Sequence, residues 1–127
     1  MNERDVIFSI GDMLFEYDEQ KNEENIKKHG ISFPVAARVF FDYNRIEMYD
    51  EDNSSEEDRY DTIGSVYQSI GDITIGTVQD TTSDILFVVY TERIRRENNG
   101  TNVDVTRIIS ARYATNFERG LYYGKYE

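Results

Sequence analysis

Alternating and continuous apolar runs mark several segments of the chain as β-strands. MLFEY at 13–17 and RIEMY at 45–49 are short and rich in apolar and aromatic residues, as strands are. ILFVVY at 85–90 is continuously apolar, which predicts a central strand covered on both faces. VDVTRIIS at 103–110 predicts the last strand, and DVIFSI at 5–10 either adds another strand or stays loose.

Three other segments have helical signatures. EQKNEENIKKHG at 19–30 follows Asp18, whose carboxylate can cap a first helical turn, and it ends at a glycine that can take the left-handed conformation. Apolar residues at positions 33, 36, 37 and 40 repeat with the helical period and predict a second, core-facing helix. Thr115 and Glu118 form a capping-box pattern, which predicts a short C-terminal helix.

This order of elements predicts an α+β fold, in which an antiparallel sheet carries two N-terminal helices and a short C-terminal helix packed on it. A chain of 127 residues has the size of one domain, so we expect a single domain at 1–127. In this prediction residues 1–12 are an N-terminal extension, and residues 65–84 are an inserted hairpin.

Composition narrows the chemistry that the chain can perform. It has no cysteine and a single histidine, so disulfides, thiolate chemistry and zinc sites of familiar spacing are not expected. We predict no metal and no cofactor. No apolar run approaches the roughly 20 residues that cross a bilayer, and the acidic N-terminus is unlike a secretory segment. We therefore expect a cytoplasmic protein with no membrane partner.

The charge is strongly negative and unevenly distributed. The formal net charge is −11, which repels polyanions and favours a basic partner. Residues 84–127 carry a small positive balance, whereas the first 83 residues carry all of the excess acid, including six acidic residues at 50–58. Whether the arginines converge on one surface therefore matters more than the net charge of the chain, because screening limits the reach of each charge to about 8 Å in physiological salt.

Three groups of residues together follow the pattern of a known family. They are Phe15, Glu16, Tyr17, Asp18, Lys21, Asn22, Asn25, Lys28, His29, Gly30, Phe33, Ala36 and Phe40, then Asp58, Arg59, Tyr60, Ile63 and Gly64, then Val88, Val89, Tyr90, Thr91, Arg93 and 107–115. With these residues the chain resembles the BrnT family, the toxin half of a bacterial toxin and antitoxin pair. The resemblance covers residues 13–123, and its closing RIISARYAT segment at 107–115 is the most specific part.

The resemblance implies a RelE-like fold and a metal-independent endoribonuclease that acts on an RNA substrate. It also implies a BrnA-like antitoxin that silences the toxin and represses their operon, so that operator DNA is bound only indirectly. A homodimer within that complex is a further arrangement that the resemblance allows. The chain departs from the family at Tyr90, where many relatives have histidine, and at 65–84, which is longer than the usual connection.

Cleavage of RNA without a metal uses the 2′-hydroxyl as nucleophile, so the enzyme must move protons and neutralise the charge that grows on the phosphate. Arginine suits the second task because its planar fork matches phosphate oxygens. Arg107 and Arg112 are the first candidates, followed by Arg59 and Arg93. The competing interpretation of the first two is a structural ion pair with an acid such as Asp18 or Glu118. The nuclease hypothesis requires that the arginines gather into one electropositive pocket.

Candidate proton carriers and substrate contacts are fewer. Tyr90 stands where relatives carry histidine, although a tyrosine at the end of a buried strand also suits the core. His29 titrates nearest neutrality, and Lys28 could serve electrostatically, although a helix end explains both without catalysis. Tyr60, beside Arg59, is a candidate for stacking on an unpaired base.

Two other functions are consistent with the same sequence. A catalytically inactive BrnT relative would keep the fold and act as a partner-binding or corepressor module, which Tyr90 and the net charge both permit. An acidic mimic of nucleic acid would instead need the acidic residues of 47–61 ordered along a ridge.

Overall fold

The computed structural model describes residues 4–66, 69–70, 73–74 and 85–124. The predicted α+β class is confirmed. The strands are β1 (Asp5–Ile10), β2 (Met13–Asp18), β3 (Ile46–Tyr49), β4 (Arg59–Ser65), β5 (Ser69–Ile70), β6 (Ile73–Thr74), β7 (Ile85–Arg96) and β8 (Asn102–Tyr113). The helices are α1 (Glu19–His29), α2 (Phe33–Ala36) and α3 (Asn116–Tyr122), with 3₁₀ turns at Ala37–Phe41 and Glu51–Asn53.

Six strands form one sheet in the order β1-β2-β8-β7-β4-β3. All neighbours are antiparallel except β2 and β8, which run parallel with Phe15 opposite Thr106 and Glu16 opposite Arg107. The sheet is therefore mixed, and the prediction of an antiparallel sheet was wrong. The periodicity of a strand does not depend on the direction of its neighbour, so the sequence pattern could not reveal the parallel pair.

The N-terminal residues join the sheet as its edge strand. β1 pairs with β2 from Asp5 opposite Asp18 to Ile10 opposite Met13. Of the two possibilities for 5–10, the structure therefore shows the strand. Residues 1–3 lie outside the described residues.

The two predicted N-terminal helices are only partly observed. α1 begins after Asp18, whose carboxylate accepts from the amides of Gln20 and Lys21, and it ends at Gly30 with φ of 74°. The second helix is a single α-turn, which tightens into 3₁₀ geometry from Ala37. A Cβ at Gly64 would lie 3.1 Å from that of Val39, so the missing side chain lets the 3₁₀ segment come close to β4.

Both faces of the sheet are partly covered. α1, α2 and the following 3₁₀ turn cover one side, which we call the helix side, over a core that includes Phe15, Tyr17, Phe33, Phe40, Val88, Tyr90 and Ile108. α3 covers one end of the opposite side, over Ile63, Ile85 and Phe87. Its Tyr122 hydroxyl donates to Asp42 at 2.5 Å, and the predicted capping box at Thr115 and Glu118 is present. The C-terminal helix is thus confirmed.

Only part of the predicted insertion can be compared with the structure. Within residues 65–84, β5 and β6 form a short antiparallel pair, with Ile70 opposite Ile73. Most of the segment lies outside the described residues, so its status as an inserted hairpin stays a prediction. Among the described residues, no helix is long and apolar enough to cross a membrane.

Candidate functional site

The four predicted arginines lie on the same side of the sheet, opposite α1 and α2. Arg59 on β4 is directly opposite Thr91 on β7, which is in turn opposite Arg107 on β8. Residues paired across strands point to the same face, and Arg93 follows Thr91 by two positions on the same strand. Arg112 is opposite Phe87, four positions before Thr91. We call this surface the arginine face.

A β-bulge places Arg112 on that face. β8 pairs Ile108 with Tyr90 but Ser110 with Val89, so Ile109 is an extra residue in β8. Arg107 and Arg112 are five positions apart, and in a regular strand they would point to opposite faces. Because the extra residue shifts the alternation by one, both guanidinium groups come to the same side.

Arg107 is tied into the sheet by two carboxylates. Its guanidinium donates to Asp5 of β1 at 3.1 Å and to Glu16 of β2, and its side chain is only 15% exposed. Burial alone would lower its pKa, but the hydrogen bonds and charges of the two acids outweigh burial and raise the pKa of Arg107. The structural ion pair is therefore present, although its acids are not Asp18 or Glu118.

Arg112 makes the ion pair with Glu118 that the competing interpretation predicted. The contact is bidentate, at 2.7 and 2.9 Å, and links β8 to α3. The same guanidinium lies 4.2 Å from the ring centroid of Phe87. Arg112 nevertheless remains 37% exposed, so one side of the group faces solvent.

Arg59 and Arg93 approach the same carboxylate. Glu57 lies 3.2 Å from a terminal guanidinium nitrogen of Arg93 and 3.9 Å from one of Arg59. All three side chains are 35–41% exposed. Exposed ion pairs of this kind contribute only about 0–1 kcal/mol, so these two arginines can exchange their partner readily.

The expected electropositive pocket is not what the structure shows. The arginines share one face, but each has a carboxylate partner, and this face also carries Asp61. The physical reason is that a guanidinium on a partly covered sheet must be paired, and the strands that bring the arginines also bring the acids. The carboxylates concerned are Asp5, Glu16, Glu57 and Glu118.

Asp61 is a candidate that the sequence analysis missed. It follows Arg59 by two positions in β4 and is directly opposite Val89, so it lies on the arginine face. Its Oδ1 is buried and has no hydrogen-bond partner among the described residues. Burial raises the pKa of Asp61 to about 7, helped by the neighbouring Asp50 carboxyl and opposed by Arg112. Such a pKa suits proton transfer near neutrality.

A sequence signal for Asp61 exists in the alternation of β4. Arg59, Asp61 and Ile63 occupy every second position and therefore share a face. This signal was overlooked because Asp61 closely follows the acidic run at 50–58, and an acidic residue near a charged loop is usually solvated.

The remaining predicted site residues do not meet the arginines. Tyr90 is only 5% exposed and packs on the helix side against Phe40, with 4.8 Å between ring centroids. Tyr60 stacks on Tyr90 on that same side. Lys28 and His29 lie in the last turn of α1, which packs on the helix side of β8.

Burial raises the pKa of Tyr90, and nearby Glu47 and Glu92 add to the shift. The phenol is therefore a poor proton carrier near neutrality. Within the described residues, no group of three or more histidine, aspartate or glutamate side chains is arranged to hold a metal ion.

Comparison with known families confirms the resemblance noted from the sequence over part of the chain. Residues 17–71 match the family described as "Ribonuclease toxin, BrnT, of type II toxin-antitoxin system". The match contains Arg59 and Asp61, whereas Arg93, Arg107 and Arg112 lie beyond it. No curated protein matches the chain.

Proposed function

We propose that this protein is the toxin of a type II toxin and antitoxin pair and that it cleaves RNA on the arginine face without a metal. The reaction class rests on the family match alone, since the matched family is one of ribonuclease toxins and the electropositive pocket expected from the sequence is not formed. The observation that carries the location of the site is the placement of Asp61 among four arginines on one side of the sheet.

In this proposal Asp61 is the general base. Its ionised carboxylate takes the proton of the RNA 2′-hydroxyl, whose oxygen then forms a bond to phosphorus. The bond from phosphorus to the 5′ oxygen breaks, and the departing oxygen takes a proton from solvent. Asp61 suits this role because its pKa of about 7 leaves a substantial ionised fraction at neutral pH together with adequate basicity.

Three of the arginines supply positive charge to the phosphate. Among the described residues, the ion-pair partner of Arg59 and Arg93 is Glu57, whose side chain is 35% exposed, so a phosphate oxygen can replace that carboxylate. Arg112 is partly open to solvent and already acts electrostatically on Asp61. Arg107 is given a structural role instead, because its two acids enclose it.

The partners in this proposal come from the family resemblance. A BrnA-like antitoxin neutralises the toxin, and operator DNA is contacted only through it. The RelE-like fold, the cytoplasmic location and a homodimer within the complex are part of the same proposal. Tyr60, Tyr90, Lys28 and His29 are not assigned to the reacting phosphate, since they lie on the helix side.

One observation favours the inactive relative as a second candidate. Each of the four arginines is paired with a carboxylate, so the arginine face has little excess positive charge to attract RNA. A partner-binding or corepressor module would need no such excess.

Cleavage of a labelled single-stranded RNA by the purified chain, with EDTA present, distinguishes the two candidates. We expect cleavage by the wild type and a loss of at least 100-fold in Asp61→Asn, because the variant lacks a base. Asp52→Asn, a change at an exposed acid outside the sheet, is the matched control and should cleave normally. Activity retained in Asp61→Asn would overturn the assignment of the base, and an inert wild type would favour the inactive relative.

A further inference from the structure

A row of three tyrosines crosses the helix side of the sheet near its β3 edge. Tyr49, Tyr60 and Tyr90 are directly opposite one another on β3, β4 and β7. Their ring centroids are 5.8 Å apart for the first pair and 5.6 Å apart for the second. Exposure falls from 53% at Tyr49 to 5% at Tyr90, so an aromatic surface leads from solvent into the core.

Two glutamates border this row. Glu47 precedes Tyr49 by two positions, and Glu92 follows Tyr90 by two, so both point to the side that carries the rings. The three tyrosines, the two glutamates and Met48 line a cavity of about 360 Å³. We call it the tyrosine–glutamate cavity.

The negative charge of the cavity is only partly balanced. Arg45 forms an ion pair with Glu47 at 3.1 Å. Glu92 takes part in no ion pair within the stretches 4–66 and 85–124, and there its side chain accepts one long hydrogen bond, from the Thr106 hydroxyl at 3.5 Å. Burial raises the pKa of Glu92, and the charge of Asp104 adds to the shift. Glu92 is thus a carboxylate that a cation would stabilise.

The surroundings favour a cationic ligand over a phosphate. The acidic segment 50–58 begins directly after Tyr49, and the Tyr49 hydroxyl donates to Asp58 at 3.1 Å. A surface of this sign attracts cations and repels nucleic acid. Tyrosine faces attract guanidinium groups, and a carboxylate can accept the hydrogen bonds of a guanidinium at the same time.

We propose that the tyrosine–glutamate cavity binds an arginine side chain of a basic partner peptide, with the guanidinium over the exposed ring of Tyr49 and bonded to Glu92. This site lies on the side of the sheet away from the arginine face. The inference therefore does not depend on ribonuclease activity.

The probe is a capped peptide in which three arginines alternate with glycine, titrated calorimetrically into the full chain at physiological salt. The same peptide with citrulline in place of arginine keeps the shape and removes the charge. We expect binding of the arginine peptide, at least tenfold weaker binding of the citrulline peptide, and about fivefold weakening in Tyr49→Ala, in keeping with an exposed cation–π contact. Tyr49→Phe, which keeps the ring, should bind within twofold of the wild type.

Matched controls separate a built site from a general acidic field. Tyr43→Ala removes a fully exposed tyrosine elsewhere, and Glu51→Gln removes one charge of the acidic segment. Both variants should bind the arginine peptide more tightly than Glu92→Gln does. Equal weakening by Glu51→Gln and Glu92→Gln, or normal binding by Tyr49→Ala, would overturn the proposal. The proposal would also be overturned if a single-stranded RNA oligonucleotide displaced the arginine peptide from the wild type but did not bind Tyr49→Ala. The cavity would then be a base-stacking site.

Discussion

On the helix side of the sheet, Phe15 and Tyr90 are packed among other rings, whereas on the opposite side of the sheet Glu16 and Arg107 form an ion pair. Both faces are formed by the same strands, and they differ because alternate residues of each strand point to opposite faces. On the first face stability comes from buried apolar area, and on the second it depends on how completely each charge is paired. Changes on the arginine face should therefore vary widely in effect with the exposure of the pair.

The largest effect is expected for Arg107→Ala. This change leaves Asp5 and Glu16 without their cation at 8% and 13% side-chain exposure, and breaking such a buried pair costs about 3–5 kcal/mol. The free energy of unfolding in urea measures this loss. A loss below about 1 kcal/mol would show that the pair is a surface contact and would remove the distinction between Arg107 and the other arginines.

On the helix side, the corresponding polar change is Asn25→Ala. The Asn25 amide donates to the carbonyl oxygens of Ile31 and Ala111, both at 2.9 Å, and accepts from the amide of Ala111 at 3.2 Å. Its removal leaves buried backbone groups unpaired, and we expect a loss of about 2–3 kcal/mol in urea unfolding. Gln20→Ala, at an exposed position of the same helix, is the control and should change stability by less than about 0.5 kcal/mol.

Asp61→Asn should change how stability depends on pH. The folded-state pKa of Asp61, about 7, lies above its ordinary value, so the fold binds this proton more tightly than the unfolded chain does. Its contribution to stability is present below about pH 4 and is lost as the pH rises towards 7.

Thermal unfolding between pH 4 and 8 measures this contribution. We expect the stability of Asp61→Asn relative to the wild type to rise by about 1–2 kcal/mol over that range, a figure reduced for solvent screening of the partly exposed carboxyl. Parallel pH profiles for the two proteins would contradict the raised pKa.

The smallest effect on stability is expected for Arg93→Ala, whose exposed pair with Glu57 contributes less than about 0.5 kcal/mol. The same change should reduce RNA cleavage by at least tenfold if Arg93 contacts phosphate. Urea unfolding and the RNA assay, run together on Arg93→Ala and Lys21→Ala, measure both quantities. Equal activity of the two variants would remove Arg93 from the proposed site.

Much of the helix side could be predicted from the sequence. α1 begins after Asp18 and ends at Gly30, as the capping carboxylate of Asp18 and the backbone freedom of Gly30 predict. The apolar run at 85–90 is part of the central strand β7. These features depend on interactions between residues that are close in sequence, so a sequence pattern can predict them. The pairing partner of β2 and the direction of that pairing depend on a strand about ninety residues away, so no local pattern predicts them.

The arginine face was harder to predict for the same reason. The residue type alone predicts phosphate contacts for the arginines, which stays a prediction, but their ion-pair partners come from distant strands, as Asp5 does for Arg107. The bulge at Ile109 could not be inferred from strand alternation, which would have placed Arg107 and Arg112 on opposite faces. Asp61 was missed because its unusual ionisation depends on burial and on Asp50, which only the folded chain brings together.

The extra residue in β8 also limits how this part of the chain can vary in length. Deleting Ile109 would rotate everything C-terminal to it by one position, so that Arg112 would enter the apolar layer and Ala111 would leave it. Swapping one aliphatic side chain for another at this position keeps the count intact. We therefore expect this segment to accept exchanges of residue type far more readily than the gain or loss of a single amino acid.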